Sequence, residues 1–298
     1  MNHDGVRCVI VGARGQLGTA LARTFDLRGE ILPLGREDLD ILDAGQVAAA
    51  LDRLRPTHIL NTAAWNLVDR AETDREAAFA LNAAAVGVLA EACHRRGAAL
   101  VHFSTDYVFD GRKSTPYTED DAPNPLSVYA ESKLAGERLA LERCERALVV
   151  RVCGLFGQAS GSGKTNFVET MLRLAASGKP IRVVADQVLA PSYTVDLARK
   201  VWRILPRAAP GLYHLTSAGQ TSWYDFARAV FRFAGVSADL SPTTAADYGA
   251  AARRPAYSVL AHTRLAKLGE DDLRSWEAAL AAYLVERGLT PSTAPAGS

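Results

Sequence analysis

A tyrosine and a lysine four positions apart are the residues of this chain best suited to chemistry. They are Tyr129 and Lys133, within the sequence Tyr-Ala-Glu-Ser-Lys. On a helix such positions share one face, about 5–6 Å apart at Cβ, and an ammonium held there would lower the pKa of the phenol. The pair would exchange protons with a carbonyl or alcohol oxygen near neutral pH. The spacing also arises by chance, so its meaning depends on the elements around it.

A glycine-rich turn near the start of the chain supplies the first of these elements. Gly12, Gly15 and Gly18 follow the apolar run Cys8–Val11 and open a helical stretch, as the dinucleotide-binding fingerprint requires. Backbone N–H groups and the helix N-terminus there would hold a pyrophosphate. The spacing GxxGxxG, in place of GxGxxG, favours the short-chain dehydrogenase variant of this loop.

The residues after the second strand bear on the choice of cofactor. Arg14 in the glycine loop and Arg36 after the strand could both reach a 2′-phosphate, which guanidinium groups bind bidentately. The sequence therefore favours NADPH and leaves NADH as an alternative. Asp40 and Ile41 could line the adenine. Small residues that end the third strand would let the cofactor lie close, in the run Asn61–Trp65.

A hydroxyl at the end of the fourth predicted strand completes a catalytic group. Thr105 would orient the reacting oxygen toward Tyr129, and we expect Tyr129 to donate a proton while the nicotinamide supplies hydride to a ketone carbon. Lys133 is expected to hold the ribose and to lower the pKa of Tyr129. Related dehydratases place an Asp-Glu pair after the threonine, whereas this chain has Asp106 and Tyr107. The tyrosine favours simple reduction over elimination.

Strand and helix signals alternate along the first half of the chain, which predicts an α/β fold with a doubly wound parallel sheet. The expected strands are Cys8–Val11, Ile31–Leu34, His58–Asn61, Leu100–Phe103 and Leu148–Val152. The expected helices between them are Gln16–Phe25, Gly45–Leu54, Arg75–Arg96 and Val128–Glu145.

The regular alternation of strands and helices is lost after residue 153, which predicts a second structural unit. We expect a dinucleotide-binding domain over 1–153 and a smaller, mainly substrate-binding lobe over 154–290, with a disordered tail at 291–298. The lobe should cover the carboxyl ends of the strands, where open α/β sheets bind ligands. Some of its segments, including the strand Ile181–Val184, could return to the main sheet.

Bulk properties exclude several classes of function. The chain has 298 residues, a net charge of +1 and a hydrophobic fraction of 48%, so nothing favours binding to nucleic acid or a membrane. The N-terminal residues Met1–Asp4 lead directly into a strand and leave no room for a signal peptide. The four cysteines are scattered, which indicates reduced, buried thiols and a cytoplasmic location.

Several segments together resemble the dTDP-4-dehydrorhamnose reductase family of extended short-chain dehydrogenases. The most specific are STDYVFDG (Ser104–Gly111) and NPLSVYAESKLAGE (Asn124–Glu137), and VDRAE, NFVETML and GLYH also match in order. The resemblance implies a Rossmann-type fold and NAD(P)H-dependent reduction of the 4-keto group of a dTDP-linked 6-deoxyhexose. It implies that the residues contacting the cofactor are Gly15, Gln16, Leu17, Asp40, Ile41, Ala63, Ala64 and Trp65, with Tyr129 and Lys133. It also implies catalytic roles for Thr105, Tyr129 and Lys133, and substrate contacts at Thr105 and Asp106.

The chain departs from the family pattern at three places, and one of them is Trp65-Asn66, which replaces the commoner His/Tyr-Thr pair. Gly154 stands where members often carry a tryptophan under the sugar, so the preferred sugar should differ in shape. Some members bind Mg²⁺ between subunits through an acidic residue after the glycine loop, but here the run is Gly18–Leu21. We therefore expect no metal and a different mode of dimerisation, if the chain forms a homodimer.

Further substrate contacts and other functions stay open. Tyr107 and Asn166, at the start of a helix after a polar loop, are candidates for substrate contact; Arg254 could pair with a diphosphate or be a solvated surface residue. The run Gly161–Thr165 resembles a P-loop but lacks the first glycine, where the chain has Gln158; a loop that covers the substrate is favoured. The alternatives are a non-catalytic NADP-binding regulatory subunit and a sugar-nucleotide epimerase or dehydratase.

Overall fold

The computed structural model describes residues 5–25, 29–161 and 165–290. Three sequence predictions therefore fall wholly or partly outside the described residues. They concern the N-terminal residues 1–4, the middle of the run Gly161–Thr165 and the tail 291–298.

Six parallel strands form the main sheet: β1 to β5 from the first half of the chain and β10 (Gly211–His214) from the second half, in the order β10-β5-β4-β3-β1-β2. The apolar runs of the four inner strands are buried on both faces, as parallel strands covered by helices require, whereas the edge strand β2 is partly exposed. The five strands of the first half are β1 (Val6–Val11), β2 (Gly29–Leu34), β3 (His58–Asn61), β4 (Ala99–Thr105) and β5 (Ala147–Val152). The predicted doubly wound α/β sheet is confirmed.

Helices cover both faces of this sheet and give it two separate cores. The helices are α1 (Gln16–Arg23), α2 (Ala44–Leu54), α3 (Arg75–Phe79), α4 (Ala85–Arg95), α5 (Val128–Arg143), α6 (Phe167–Ala176), α7 (Thr194–Ile204), α8 (Trp223–Ala234), α9 (Ala245–Tyr248), α10 (Thr263–Lys267) and α11 (Trp276–Glu286). Helices α1 and α7 pack together on one face, where the Trp202 indole donates to the Leu21 carbonyl at 3.1 Å. Helices α2, α4 and α5 cover the other face.

The longest helical stretch runs from Arg75 to Arg95 and contains one π-helical turn at Ala80–Ala84. It is long enough, and with a mean hydropathy of 1.4 apolar enough, to cross a membrane by length and composition. However, 56% of the 18-residue segment that has this hydropathy is buried inside the protein. The second half of the helical stretch, α4, packs against α5 and α2. This packing is typical of a core helix in an α/β fold.

The second half of the chain builds a smaller core around aromatic rings. Phe156, Phe226 and Tyr283 are fully buried, the Phe156 ring packs against the rings of the other two, and α6, α8 and α11 surround them. Three short strand pairs complete this part of the structure. They join β6 (Leu155–Phe156) with β9 (Ser192–Tyr193), β8 (Val188–Leu189) with β11 (Thr221–Ser222), and β7 (Ile181–Val184) with β12 (Leu240–Thr243).

One segment of the second half returns to the main sheet, but it is not the strand that the sequence analysis named. Strand β10 (Gly211–His214) pairs with β5, whereas the strand at Ile181 pairs with β12. Strand β10 carries two half-buried residues and two buried ones, so it fits a sheet edge. The division of the chain at residue 153 stays a prediction.

Candidate active site

Helix α5 places Tyr129 and Lys133 beside the end of strand β4. The helix begins after Ser127, whose hydroxyl accepts a hydrogen bond from the Ala130 N–H at 3.3 Å. The Lys133 side chain is buried and its Nζ donates to the Phe103 carbonyl at 2.6 Å. Tyr129 is 9% exposed. The spacing predicted from sequence therefore puts both residues on the buried face of one helix.

Thr105, the last residue of β4, meets the tyrosine of this pair. Its hydroxyl accepts from the Tyr107 N–H at 3.2 Å, donates to Asp106 Oδ1 at 3.1 Å, and lies within hydrogen-bonding reach of Tyr129. Lys133 binds the carbonyl of Phe103 on the same strand. The structure thus brings together the three residues predicted to be catalytic.

The protonation of this group differs from the sequence expectation. Burial raises the pKa of Tyr129, a hydrogen bond with Thr105 opposes this shift, and the nearby Asp106 carboxyl adds to it. Burial also lowers the pKa of Lys133 to about 8, against the opposing charge of Glu137. The expected lowering of the Tyr129 pKa is not seen, because loss of hydration disfavours the phenolate. The neutral phenol is nevertheless the form that can donate a proton.

The glycine loop lies between β1 and α1 and is pressed against the end of β3. Gly12 has φ +75°, and a Cβ added there would lie 2.7 Å from the Ala63 nitrogen. A Cβ at Gly18 would lie 2.6 Å from the Gly12 carbonyl oxygen. The Thr62 hydroxyl secures this approach by bonding to the carbonyls of Val11 at 2.7 Å and Gly12 at 3.0 Å. Only glycine at these positions allows the loop to lie against the strand.

The chain after β2 lies beside the same loop. Arg14 forms an ion pair with Glu37, and both side chains are largely exposed. Arg36 is exposed as well, while Ile41 is buried in the core under α2. Asp40 Oδ1 accepts from the Leu42 N–H at 3.0 Å. The arginine pair proposed for a 2′-phosphate thus stays accessible, with a carboxylate close to one member.

A buried asparagine that the sequence analysis missed links the cofactor residues to the catalytic helix. Asn82 accepts from the Trp65 N–H at 2.8 Å, donates to the Trp65 carbonyl at 3.1 Å, and donates to Ser132 Oγ at 2.9 Å. The Ser132 hydroxyl in turn donates to the Tyr129 carbonyl at 2.7 Å. Asn82 lies in the π-helical turn of the otherwise apolar stretch. An amide side chain among apolar residues was the one feature of the sequence that could have indicated a buried hydrogen-bonding role.

Three features of this region suit a bound dinucleotide. Gln16 Oε1 and Trp65 Nε1 are buried and have no hydrogen-bond partner within the described residues. The N-cap residue of helix α1 is Gly15, which has no side chain to cap the helix. The N–H groups of the first turn can therefore bind a phosphate. The predicted residues of the cofactor set therefore fit an anionic, ring-bearing ligand.

Asp106 and Tyr107 lie next to the catalytic group. The Asp106 residue is 2% exposed, and burial raises the pKa of its carboxyl while hydrogen bonds from Ser258, Cys153 and Thr105 oppose that shift. The Tyr107 ring packs edge-on against the Tyr129 ring at 6.2 Å between centroids. These contacts put both residues beside the hydroxyl that would face a substrate.

Asn166 and Arg254, the other candidates for substrate contact, are engaged with protein groups. Asn166 caps α6 by accepting from the Glu169 N–H at 3.0 Å, and donates to the Tyr283 hydroxyl at 2.8 Å. Arg254 forms a bidentate pair with Asp69, at 3.0 and 2.7 Å. It also lies beside the Tyr107 side chain. Arg254 therefore lies near the site but is not a freely solvated surface residue.

The polar segment before α6 contacts the glycine loop. The Ser160 N–H donates to Thr19 Oγ1 at 3.0 Å, and the Gly161 N–H donates to the Arg14 carbonyl at 3.1 Å. The described part of this segment thus lies against the start of α1.

Comparisons with known proteins agree with this geometry. The family model described as the RmlD substrate binding domain matches residues 6–288. The chain belongs to this family. It is 39% identical to the dTDP-4-dehydrorhamnose reductase of Aggregatibacter actinomycetemcomitans, over 92% of this chain and 97% of that protein. It is 42% identical to a probable dTDP-4,6-dihydroxy-2-methyloxan-3-one 4-ketoreductase of Streptomyces antibioticus, over 92% and 93%.

Solved structures of RmlD-family proteins share the fold. The crystal structure of the Bacillus anthracis dTDP-4-dehydrorhamnose reductase in complex with NADP has a TM-score of 0.90 to this chain and 36% sequence identity, and it covers 95% of this chain and 99% of that one. The family resemblance stated from the sequence motifs is therefore confirmed, and so is the Rossmann-type sheet.

Proposed function

We propose that this chain is an NADPH-dependent reductase of the 4-keto group of a dTDP-linked 6-deoxyhexose. One observation carries the proposal: Thr105, Tyr129 and Lys133 form a single buried group at the carboxyl edge of the parallel sheet. The named activities of RmlD-family relatives and the NADP in the Bacillus anthracis structure support the same reaction and cofactor.

Each residue of this group has one role in the proposed reaction. Bound NADPH would supply the hydride to the carbonyl carbon. Tyr129 donates a proton to the carbonyl oxygen, and its raised pKa keeps it protonated for that step. Thr105 would orient the same oxygen by turning its hydroxyl proton from Asp106 Oδ1, which accepts it in the structure, to the substrate. Lys133 holds the cofactor ribose through its ammonium, whose pKa of about 8 keeps it mostly charged near neutral pH.

The remaining cofactor contacts follow from the loop geometry. Gly12, Gly15, Gln16 and Leu17 would bind the pyrophosphate at the start of α1, and Arg36 would meet a 2′-phosphate with Arg14. Asp40, Ile41, Ala63, Ala64 and Trp65 would line the adenosine and the cofactor cleft. The two orphaned polar atoms of Gln16 and Trp65 support this assignment.

The substrate would lie over Thr105, Asp106 and Tyr107, with Arg254 near its diphosphate and Asn166 at the edge of the lobe. Gly154 has φ +51°, and a Cβ there would lie 3.0 Å from Leu189 Cδ1. A tryptophan at this position would be strained, so the site should accept a sugar of different shape from those that rest on an aromatic floor.

Two other functions have less support. A non-catalytic NADP-binding subunit would not require the three catalytic residues to lie buried together. An epimerase or dehydratase would hold NAD⁺ tightly, and the dehydratase would use a carboxylate at the position of Tyr107. Protein purified with oxidised cofactor in its absorbance spectrum would favour this second alternative.

We also infer a cytosolic location and a two-part organisation. All four cysteines are free and buried, as is usual in a reducing compartment. The division at residue 153 separates the dinucleotide-binding part from the lobe with the aromatic core. A homodimer is compatible with these inferences and would be tested by light scattering.

The proposed function is tested by NADPH oxidation with a dTDP-4-dehydro-6-deoxyhexose. The wild-type chain should turn over, with a higher kcat/KM for NADPH than for NADH. The variant Tyr129→Phe should lose about 10³-fold in kcat, since it lacks the proton donor, and should keep its affinity for NADPH. Absence of turnover by the wild-type chain with any dTDP-linked ketosugar, or near-normal kcat in Tyr129→Phe, would overturn the proposal.

A further inference from the structure

A carboxyl group with no cationic partner among the described residues is buried directly behind the catalytic hydroxyl. Asp106 Oδ1 accepts from Thr105 Oγ1 at 3.1 Å, and Asp106 Oδ2 accepts from Cys153 Sγ at 3.0 Å. The Ser258 hydroxyl lies near the same carboxyl, where it opposes the rise in pKa that burial causes. A buried carboxyl costs free energy unless its oxygens are hydrogen-bonded, so these donors determine how it is oriented.

The thiol of Cys153 is a donor in this arrangement. Cys153 directly follows the last residue of β5 and is 1% exposed. Burial, together with the neighbouring Asp106 carboxyl, raises the pKa of Cys153 well above its ordinary value. The sulfur therefore keeps its proton and directs it to Asp106, since two acceptors at this distance would repel each other.

The orientation of Asp106 matters because Thr105 has only one hydroxyl proton. That proton is directed to Asp106 Oδ1, while the Tyr107 N–H donates to the Thr105 oxygen. Rotation of the Asp106 carboxyl would change where the Thr105 hydroxyl points. Any group that fixes this rotation also fixes the hydroxyl that faces Tyr129.

We propose that Cys153 is a positioning residue for the reduction: by donating to Asp106 Oδ2 it fixes the carboxyl from which the Thr105 hydroxyl turns its proton to the reacting oxygen. The inference rests on the proposed function, and it adds a residue outside the Thr-Tyr-Lys group. Cys153 should therefore affect kcat more than KM, because it is buried and contacts Asp106 without reaching the side of the site that faces solvent.

Three variants at this position separate donation from packing. Cys153→Ala and Cys153→Val both remove the donor, and valine also fills the volume. Both should lower kcat by about tenfold, the effect of losing one hydrogen bond of modest strength, with KM changed less than kcat. Cys153→Ser keeps a donor and should recover most of the activity.

Cys144→Ala is the matched control. Cys144 is also buried in the core under α4 and α5, but among the residues that the structure describes its sulfur bonds only the Ala98 carbonyl, at 3.8 Å. This variant should keep the wild-type kcat. Thermal unfolding of every variant shows whether a loss of kcat merely follows a loss of structure.

The outcomes distinguish this inference from the proposed function. A wild-type chain without turnover refutes the proposed function. An active wild type with unchanged kcat in Cys153→Ala and Cys153→Val refutes only the role of Cys153. The role is also refuted if Cys153→Ser folds and is as slow as the valine variant, because packing would then explain the loss. Slow alanine and valine variants with a rescued serine variant support it.

Discussion

Two lysines are buried almost equally in this protein, but their partners differ in kind. Lys133 is 2% exposed, and its ammonium donates to the backbone carbonyl of Phe103. Lys200, on α7, is 5% exposed and pairs with Glu270 at 2.9 Å and with Asp272. Lys133 forms no ion pair among the described residues, whereas Lys200 lies in a network of opposite charges that also includes Arg203.

This difference separates a site prepared for chemistry from one that holds the fold together. A buried ammonium without a carboxylate partner is unfavourable, and burial accordingly lowers the pKa of Lys133 to about 8. Proteins keep such an unfavourable buried charge at sites where a ligand needs it. Lys200 instead neutralises a glutamate that is itself 2% exposed, so its charge serves the packing of α7 against the segment after α10.

Among the variants that test this comparison of two lysines, Lys133→Met is expected to lower activity most. Removing the ammonium should lower kcat/KM by at least about a hundredfold, because the group that holds the cofactor ribose beside Tyr129 is lost. Stability should be unchanged or increased, since a buried unpaired charge is replaced by an apolar chain of similar length. Steady-state NADPH oxidation and urea unfolding measure the two effects. Full activity in this variant would contradict the claim that the Lys133 ammonium serves the reaction while the Lys200 ammonium serves stability.

Lys200→Met should show the reverse pattern. Loss of one member of a buried ion pair should lower the free energy of unfolding by about 3 kcal/mol, toward the lower end of the usual range because Arg203 and Arg207 still contact Glu270. At a temperature where the variant is folded, kcat should equal that of the wild type. A lowered kcat without lost stability would contradict the structural role.

The pH dependence of stability should reveal the state of Lys133. Its pKa is lowered from 10.5 to about 8 in the folded protein, so between these values the unfolded chain binds more protons than the native one. The free energy of unfolding contributed by this residue should therefore rise as the pH rises from about 8 to about 10.5. The wild type minus Lys133→Met difference in unfolding free energy isolates this contribution. A difference that is flat or falls over this window would mean that the ammonium is stabilised.

The smallest effect is expected at Arg254, which combines features of both lysines. Like Lys200, Arg254 forms an ion pair with a carboxylate, that of Asp69. Like Lys133, it lies close to the proposed site, beside Tyr107. Arg254→Ala should raise KM for the sugar nucleotide by about tenfold, the loss expected for one diphosphate contact, with kcat nearly unchanged. Asp69→Asn keeps the arginine and serves as its control. A KM that does not respond to Arg254→Ala assigns the arginine to structure alone.

Much of the fold was predictable because it depends on local periodicity. The strand His58–Asn61 has the bounds that its apolar pattern predicted, and helix α2 ends at the predicted Leu54 and begins one residue before the predicted Gly45. The two-residue strands of the lobe were missed, since so few residues carry no pattern. Which strand joins the sheet edge was predicted wrongly: β7 and β10 are both short, and only tertiary packing distinguishes them.

The site was predictable as a set of residues but not as an electrostatic environment. Motif spacing placed Tyr129 and Lys133 on one helix face, and the structure agrees. The pKa of Tyr129 was expected to fall, but burial raises it, and the extent of burial depends on distant segments. The partners of Asn82 and Arg254 come from residues far away in sequence, so no local pattern could reveal them.

The central claim is tested most directly by following the hydride itself. The wild-type chain would be supplied with NADPH deuterated at the nicotinamide C4 position and with a dTDP-4-dehydro-6-deoxyhexose, and the product would be analysed by NMR and mass spectrometry. The account predicts one deuterium at C4 of the sugar, and a label that accumulates far more slowly with Tyr129→Phe. A product without deuterium, or with deuterium at another carbon, would contradict it.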